Sequence, residues 1–161
     1  MASTNYKPRI AVIYISVSGH TAQLALQMAG ALEHYGRVEI HEVCSMPVAL
    51  LREVDILAVG TYTWDSGELP KGMEEVYEDI EQLGRKELVT IAFGTGDRFY
   101  PNFCGGVDLL RDMLYVQTTL AAVLKVELAP QPKDKERCTL AAARAIEKWE
   151  HLLKKNNCAH A

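Results

Sequence analysis

Five short runs of apolar and β-branched residues, most of them followed by a stretch with helical spacing, constrain this chain more than any other feature. Residues 10–15 read Ile-Ala-Val-Ile-Tyr-Ile, and residues 55–60 and 88–93 are similarly unbroken. Such runs mark strands buried on both faces. Residues 38–44 alternate instead, which predicts an edge strand, and residues 119–128 predict a fifth strand that ends before Pro130 and Pro132. Between the runs, residues 20–34, 70–83, 103–115 and 134–154 predict helices. Their inward positions are expected at Leu24, Met28 and Leu32, at Val107, Leu110 and Leu114, and at Leu140, Ile146, Trp149 and Leu153. Pro70 suits the first residue of its helix. Residues 1–7 read as a polar lead-in, residues 45–52 as a short connection, and the tail from Lys155 as frayed.

Strands alternating with helices predict a parallel sheet covered on both faces. Right-handed crossovers leave few ways to arrange it. The length, 161 residues, suits one domain over residues 1–161. The expected fold is therefore a doubly wound, five-stranded parallel sheet of order 2-1-3-4-5. Ligands of such sheets bind at the carboxyl ends of the strands, beside the switch point between strands one and three. The loops after strands one, three and four are the ones that carry function.

Composition removes several classes. Seventeen Lys and Arg against 21 Asp and Glu give a net charge of −4, without the clustered basic excess of a nucleic-acid binder. No apolar run approaches the roughly 18 residues a membrane span needs, and the opening residues lack the apolar region expected of a signal peptide. The cysteines, Cys44, Cys104, Cys138 and Cys158, lie far apart with no Cys-x-x-Cys. They are expected as free thiols in a reducing cytosol, with no metal site.

The loop after strand one, Ser16-Val-Ser-Gly-His-Thr21, places three hydroxyls and a glycine directly before a helix. A helix start offers unpaired N–H groups to an anion, and the loop suits a phosphate monoester. It lacks the Gly-Lys-Ser/Thr of a nucleotide triphosphatase and the Gly-x-Gly-x-x-Gly of a dinucleotide site. Taken alone, the same residues equally fit an ordinary capping turn, and His20 an exposed first-turn residue. The next two loops are aromatic. Trp64 stands in a polar segment, and Phe99, Tyr100 and Phe103 follow strand four. Two aromatic faces across one crevice would sandwich a flat ring, and Asp65, Glu68 and Asp97 would surround it with negative charge. Main-chain N–H groups around residues 94–97 would read its edge. A planar ring on a phosphate tail suggests flavin mononucleotide, FMN.

At these residues the chain resembles the flavodoxins. The stretches that carry the resemblance are Ser16-Val-Ser-Gly-His-Thr21, Gly60-Thr-Tyr-Thr-Trp-Asp-Ser-Gly-Glu-Leu-Pro70 and Ala92-Phe-Gly-Thr-Gly-Asp-Arg-Phe-Tyr-Pro-Asn-Phe-Cys-Gly-Gly-Val-Asp108. They occur in the family's order within a similarity spanning residues 9–153. The fifth strand has no long inserted loop, as in the short-chain kind. The resemblance implies that Ser16, Val17, Ser18, Gly19, His20 and Thr21 hold the phosphate. It puts Thr63 near the phosphate or ribityl chain, Thr61 among the cofactor-binding residues, Trp64 over one flavin face and Tyr100 over the other. Asp65, Ser66 and Gly67 form the turn beside the ring. Thr95, Gly96 and Asp97 meet the pyrimidine edge, and Asn102, Phe103 and Cys104 line the rim.

The implied activity is low-potential, one-electron transfer on non-covalently bound FMN that cycles through a semiquinone. No substrate is converted. The implied partners are a flavodoxin reductase and acceptor enzymes that dock transiently at the flavin edge of a monomer; neither nucleic acid nor membrane is expected. An NAD(P)H-dependent FMN or quinone reductase on the same fold is the alternative. It needs an open flavin face, which Trp64 and Tyr100 would close. A receiver-type signalling domain needs an Asp at the end of strand three, where this chain has Val59, Gly60 and Thr61. Two features depart from the family pattern. Many flavodoxins are more acidic than −4, and the peptide that turns over on reduction is here Asp65–Ser66. Some members have a glycine there, and its loss makes the turned-over form costlier.

Overall fold

The computed structural model describes residues 6–159. Most of the expected polar lead-in, residues 1–5, and the last two residues of the expected tail lie outside it. The elements are β1 (Ile10–Tyr14), α1 (His20–Leu32), β2 (Val38–Glu42), a 3-10 turn (Val43–Ser45), α2 (Leu50–Glu53), β3 (Ile56–Tyr62), α3 (Lys71–Leu83), β4 (Val89–Gly96), α4 (Gly105–Gln117), β5 (Thr119–Glu127) and α5 (Pro132–Ala159). The strands form one parallel sheet in the order β2-β1-β3-β4-β5, as the alternation predicted.

Burial explains the strand sequences. The central strands β1, β3 and β4 are covered on both faces and almost wholly buried, whereas β2 and β5 are the half-buried edges. On one face α1 and α5 close a core around Leu24, Met28, Phe93 and Trp149. On the other, α2, α3 and α4 close a core around Leu51, Met73, Leu110 and Leu114. β3 and β4 lie so close beside Phe93 that a Cβ on Gly60 would sit 2.2 Å from its ring. Glycine is what lets Phe93 fill that layer.

Several boundaries differ from the sequence reading. β3 runs to Tyr62 and β4 to Gly96, past the expected ends at 60 and 93. Gly94 was expected in a loop, yet it pairs with Thr61 on one side and Lys125 on the other. The neighbouring strands supply partners on both sides, which overrides glycine's weak strand preference. Part of the expected connection 45–52 is helical, because Leu50 and Leu51 turn into the core. Leu140 is 66% exposed, so it leaves the predicted stripe of α5. Cys138, Ala141, Ala142, Ala145, Ile146 and Trp149 face inward instead. The small side chains of Cys138, Ala141, Ala142 and Ala145 let the helix lie close against the sheet, while Ile146 and Trp149 stay buried as the predicted stripe had them. Residues 155–159 are helical rather than frayed, although they are exposed.

Candidate functional site

The carboxyl ends of β1, β3 and β4 open into a cleft of about 680 Å3 lined by Val17, Ser18, His20, Tyr62, Thr63, Trp64, Asp65, Thr95, Gly96, Asp97, Tyr100 and Leu128. That volume falls within the range of about 300–1,000 Å3 usual for cofactor sites. Trp64 and Tyr100, from separate loops, line the same cleft, and each is 58% exposed. Exposed apolar surface gathered in one groove marks a ligand-binding site.

The turn after β1 is built around one side chain. Ser16 Oγ accepts the main-chain N–H of Gly19 at 3.2 Å and of Ala22 at 3.3 Å. Gly19, with φ 91°, reverses the chain into α1. Ser16 itself therefore acts as the capping residue and lies behind the cleft. The N–H groups of Val17, Ser18, His20 and Thr21 find no acceptor among the described residues. They form, with the start of α1, a set of donors for an anion. Thr21 is buried, and its hydroxyl shares a 2.7 Å hydrogen bond with that of Thr95. The turn is thereby tied to β4.

The loops after β3 and β4 are fastened to each other. Asn102 Nδ2 donates to the Ser66 carbonyl at 2.7 Å, and the Gly106 N–H donates to Thr63 Oγ1 at 3.3 Å. Gly105 packs so tightly on Gly67 that an added Cβ would meet the Gly67 Cα at 2.7 Å. Within its loop, Trp64 opens a turn in which its carbonyl accepts the N–H groups of Gly67 and Glu68. Asp65 holds φ 49° in that turn. Asp tolerates this left-handed backbone better than most residues, so the absence of glycine does not keep the turn out of that region. In the other loop Asp97 Oδ1 accepts the Phe99 N–H at 2.9 Å, and Phe99 meets Tyr100 edge to face at 5.6 Å.

The expected site residues thus divide. Val17, Ser18, His20, Thr63, Trp64, Asp65, Thr95, Gly96, Asp97 and Tyr100 line the cleft. Ser16, Gly19, Thr21, Ser66, Gly67 and Asn102 shape the turns behind it. Thr61 is fully buried and donates to the Tyr62 carbonyl. Phe103 is half-buried beneath the Arg98 guanidinium, 4.9 Å from the ring centroid. Cys104, expected at the rim, is 1% exposed, and its Sγ lies 3.9 Å from the Val126 carbonyl. It packs where a Cβ on Gly96 would meet it. Burial pushes its thiol up to about 11, with Lys125 pulling the other way. Sequence reasoning missed Tyr62 and Leu128. Leu128 could have been found, because all parallel strands end on one side and β5 delivers it there. Its N–H donates to the Gly96 carbonyl.

A doubly wound parallel sheet with open main-chain N–H groups at its switch point and an aromatic cleft beside them defines the flavodoxin-like class of α/β proteins. The flavodoxin family profile matches residues 12–141. The chain is 35% identical to "Probable flavodoxin 1" of Bacillus subtilis over 149 residues, 89% of this chain and 93% of the relative. The crystal structure of oxidised Flavodoxin 2 from Bacillus cereus superposes with a TM-score of 0.79 at 32% identity, over 87% of this chain and 99% of that one. A flavodoxin of Streptococcus pneumonia gives a TM-score of 0.79 at 30% identity, over 86% and 98%. The chain belongs to the flavodoxin family, and its uninterrupted β5 makes it a short-chain member. It is an FMN-binding electron-transfer protein, not an enzyme acting on a substrate.

Proposed function

We propose that this chain, acting as one domain and as a monomer in the cytoplasm, carries electrons singly at low potential between a reductase and acceptor enzymes. The observation that carries this reading is the shared cleft of Trp64 and Tyr100 beside the open N–H groups of residues 17–21. The donor set fits FMN. The N–H groups of Val17, Ser18, His20 and Thr21 would hold the phosphate, with the Ser18 hydroxyl beside them. Thr63 would sit nearest the ribityl chain. Trp64 and Tyr100 would cover the two ring faces and exclude water, while Asp97 and Gly96 would meet the pyrimidine edge.

FMN held there would supply the one-electron redox chemistry. What the chain adds is a field. Asp65 and Asp97 line the cleft, and no Lys or Arg does. A fixed negative charge about 10 Å from an added one, at an effective dielectric near 20, opposes it by about 1.7 kcal/mol. For a one-electron couple this corresponds to roughly 70 mV. The two carboxylates would therefore make the reduced carrier a stronger donor.

The test is an anaerobic reductive titration of the FMN-loaded protein, followed by absorbance. The expected result is a blue neutral intermediate before full bleaching, with no steady oxidation of NADH by the isolated protein. Apoprotein that fails to bind FMN would overturn the reading.

A further inference from the structure

Six polar or charged residues are buried among the described residues: Thr21, Thr61, Thr90, Thr95, Thr118 and Asp134. A buried hydroxyl proton needs an acceptor, and leaving it without one costs more than the bond itself would contribute. Thr61 donates to the Tyr62 carbonyl at 2.7 Å. Asp134 accepts from the Gln131 N–H and from Arg137. Thr90 and Thr118 lie 2.7 Å apart and hold two hydroxyl protons between them. Thr118 gives its proton to the Leu114 carbonyl at 2.7 Å, so Thr90 gives its own to Thr118. Both protons of that pair are placed.

Thr21 and Thr95 form the same kind of pair, also at 2.7 Å, and it closes differently. Each hydroxyl has one proton and two lone pairs. One proton lies between the two oxygens. The other has no acceptor among the described residues, because neither oxygen makes a second hydrogen bond. Thr21 is 1% exposed and Thr95 5%, so little water reaches the spare proton. The pair also bridges the two parts of the site. Thr95 lines the cleft, and Thr21 lies in the first turn of α1, its own N–H among the open donors. A buried donor is left over beside those N–H groups, while the matching pair at the other end of β4 is satisfied. The surplus proton is kept for an acceptor that a ligand brings.

Resting on the reading that a phosphate sits at residues 17–21, we infer that Thr95 is a positioning residue for that phosphate, acting through Thr21. Thr95 donates to Thr21, as Thr90 does to Thr118. The Thr21 proton is thereby given to the phosphate, as the Thr118 proton is given to Leu114. A dianion is the strongest acceptor such a site can receive, and charge-assisted hydrogen bonds are about twice as strong as neutral ones. No Lys or Arg lies between Ser16 and Thr21, so each hydroxyl and N–H donor counts. Two hydroxyls in series also polarise one another. Thr95 stands on the ring side of the cleft, yet its hydroxyl acts on the choice between a flavin that carries phosphate and one that does not.

The test measures dissociation constants of the full chain, stripped of flavin, for FMN and for riboflavin by quenching of flavin fluorescence. The readout is the ratio of the two, which a general loosening of the cleft would not move. Thr95→Val keeps the shape and removes the hydroxyl; it should lower the preference for FMN about fivefold. Thr95→Ser should restore the preference, and Thr95→Ala repeats the comparison should the branched side chain disturb the fold. Thr21→Val should lower it further, about thirtyfold. Thr21→Val/Thr95→Val should lose no more than Thr21→Val alone, because Thr95 then has nothing to act through. Thr90→Val breaks the matching pair away from the cleft; it should lower the denaturation midpoint and leave the preference unchanged. Equal losses for both flavins in Thr95→Val would mean that Thr95 meets the ring or ribityl chain itself, and would overturn the proposal. So would additive losses in the double variant, or an equal loss of preference in Thr90→Val. Wild-type protein that binds FMN and riboflavin equally well would strike the phosphate reading itself.

Discussion

The two halves of the cleft at the carboxyl ends of the strands are held in different ways. The turn after β1 hangs on one side chain, Ser16, which gathers two N–H groups and leaves four others open. The paired loops after β3 and β4 depend on each other, through the Asn102–Ser66 bond, the Thr63–Gly106 bond and the contact of Gly105 with Gly67. A turn fixed by its own short sequence can be changed without disturbing the rest. Loops fixed by mutual contact fail together. The first suits a constant group such as phosphate. The second brings Trp64 and Tyr100, from separate loops, to the lining of one cleft.

The strongest way to break this contrast is Gly105→Ala. The new Cβ meets Gly67 main-chain atoms at 2.7 and 2.9 Å, and overpacking of this kind costs about 1–3 kcal/mol. Because the obstacle is backbone, the 64–67 turn must shift. The denaturation midpoint should fall, and affinity for both FMN and riboflavin should fall with it. An unchanged midpoint would show that the loops are independent. Trp64→Ala separates ring covering from loop bracing. Trp64 is largely exposed, so stability should hold. Affinity for FMN and for riboflavin should drop alike, by about 0.5–1.5 kcal/mol beyond the area lost. Calorimetric titration with both ligands checks it, and an unaltered dissociation constant would refute the sandwich.

This contrast also explains what was legible in the sequence. Much that local pattern governs was readable: the strand–helix alternation behind the strand order, the inward faces of α1 and α4, and the two rings in polar loops that line one cleft. The residues misjudged are those whose environment is set by distant chain. Leu140 fits a helical stripe, but α5 rotates to set its alanines on the sheet. Gly94 looks like loop and is strand because β5 lies beside it. Cys104 follows an exposed Asn102 and a half-buried Phe103, yet its αL backbone at φ 54° turns the thiol inward beneath β5. No property of residues 97–104 alone encodes that turn.

Ser16→Ala tests the other half. It strips the acceptor from Gly19 and Ala22 N–H groups at a helix start, which costs about 0.5–2 kcal/mol. The turn then loosens where the phosphate is proposed to sit. Affinity for FMN should weaken while that for riboflavin, which lacks the phosphate, stays the same. Parallel loss of both ligands would mean that the turn also shapes the ring slot, and the two halves would no longer be separable.

The smallest effect concerns the thiols. Cys44 is exposed and lines a groove behind the anion turn, whereas Cys104 is buried under the ring-side loops. Burial pushes Cys104 and Cys138 up to about 11, against an unfolded thiol near 8.5. The folded state therefore holds these protons more tightly. The stability this confers is complete below about pH 8.5 and is lost as pH rises towards 11. Since the thiolate is the reactive form, iodoacetamide followed by mass spectrometry should label Cys44 and Cys158 promptly at neutral pH and leave Cys104 and Cys138 untouched. Raising the pH should bring in the buried pair only with loss of the fold, and bound FMN should retard Cys104 more than Cys138, because only Cys104 lies beneath the loops that FMN would hold shut. Equal labelling of all four at neutral pH would mean that the ring-side loops open freely, and that their mutual bracing is weaker than the contacts imply.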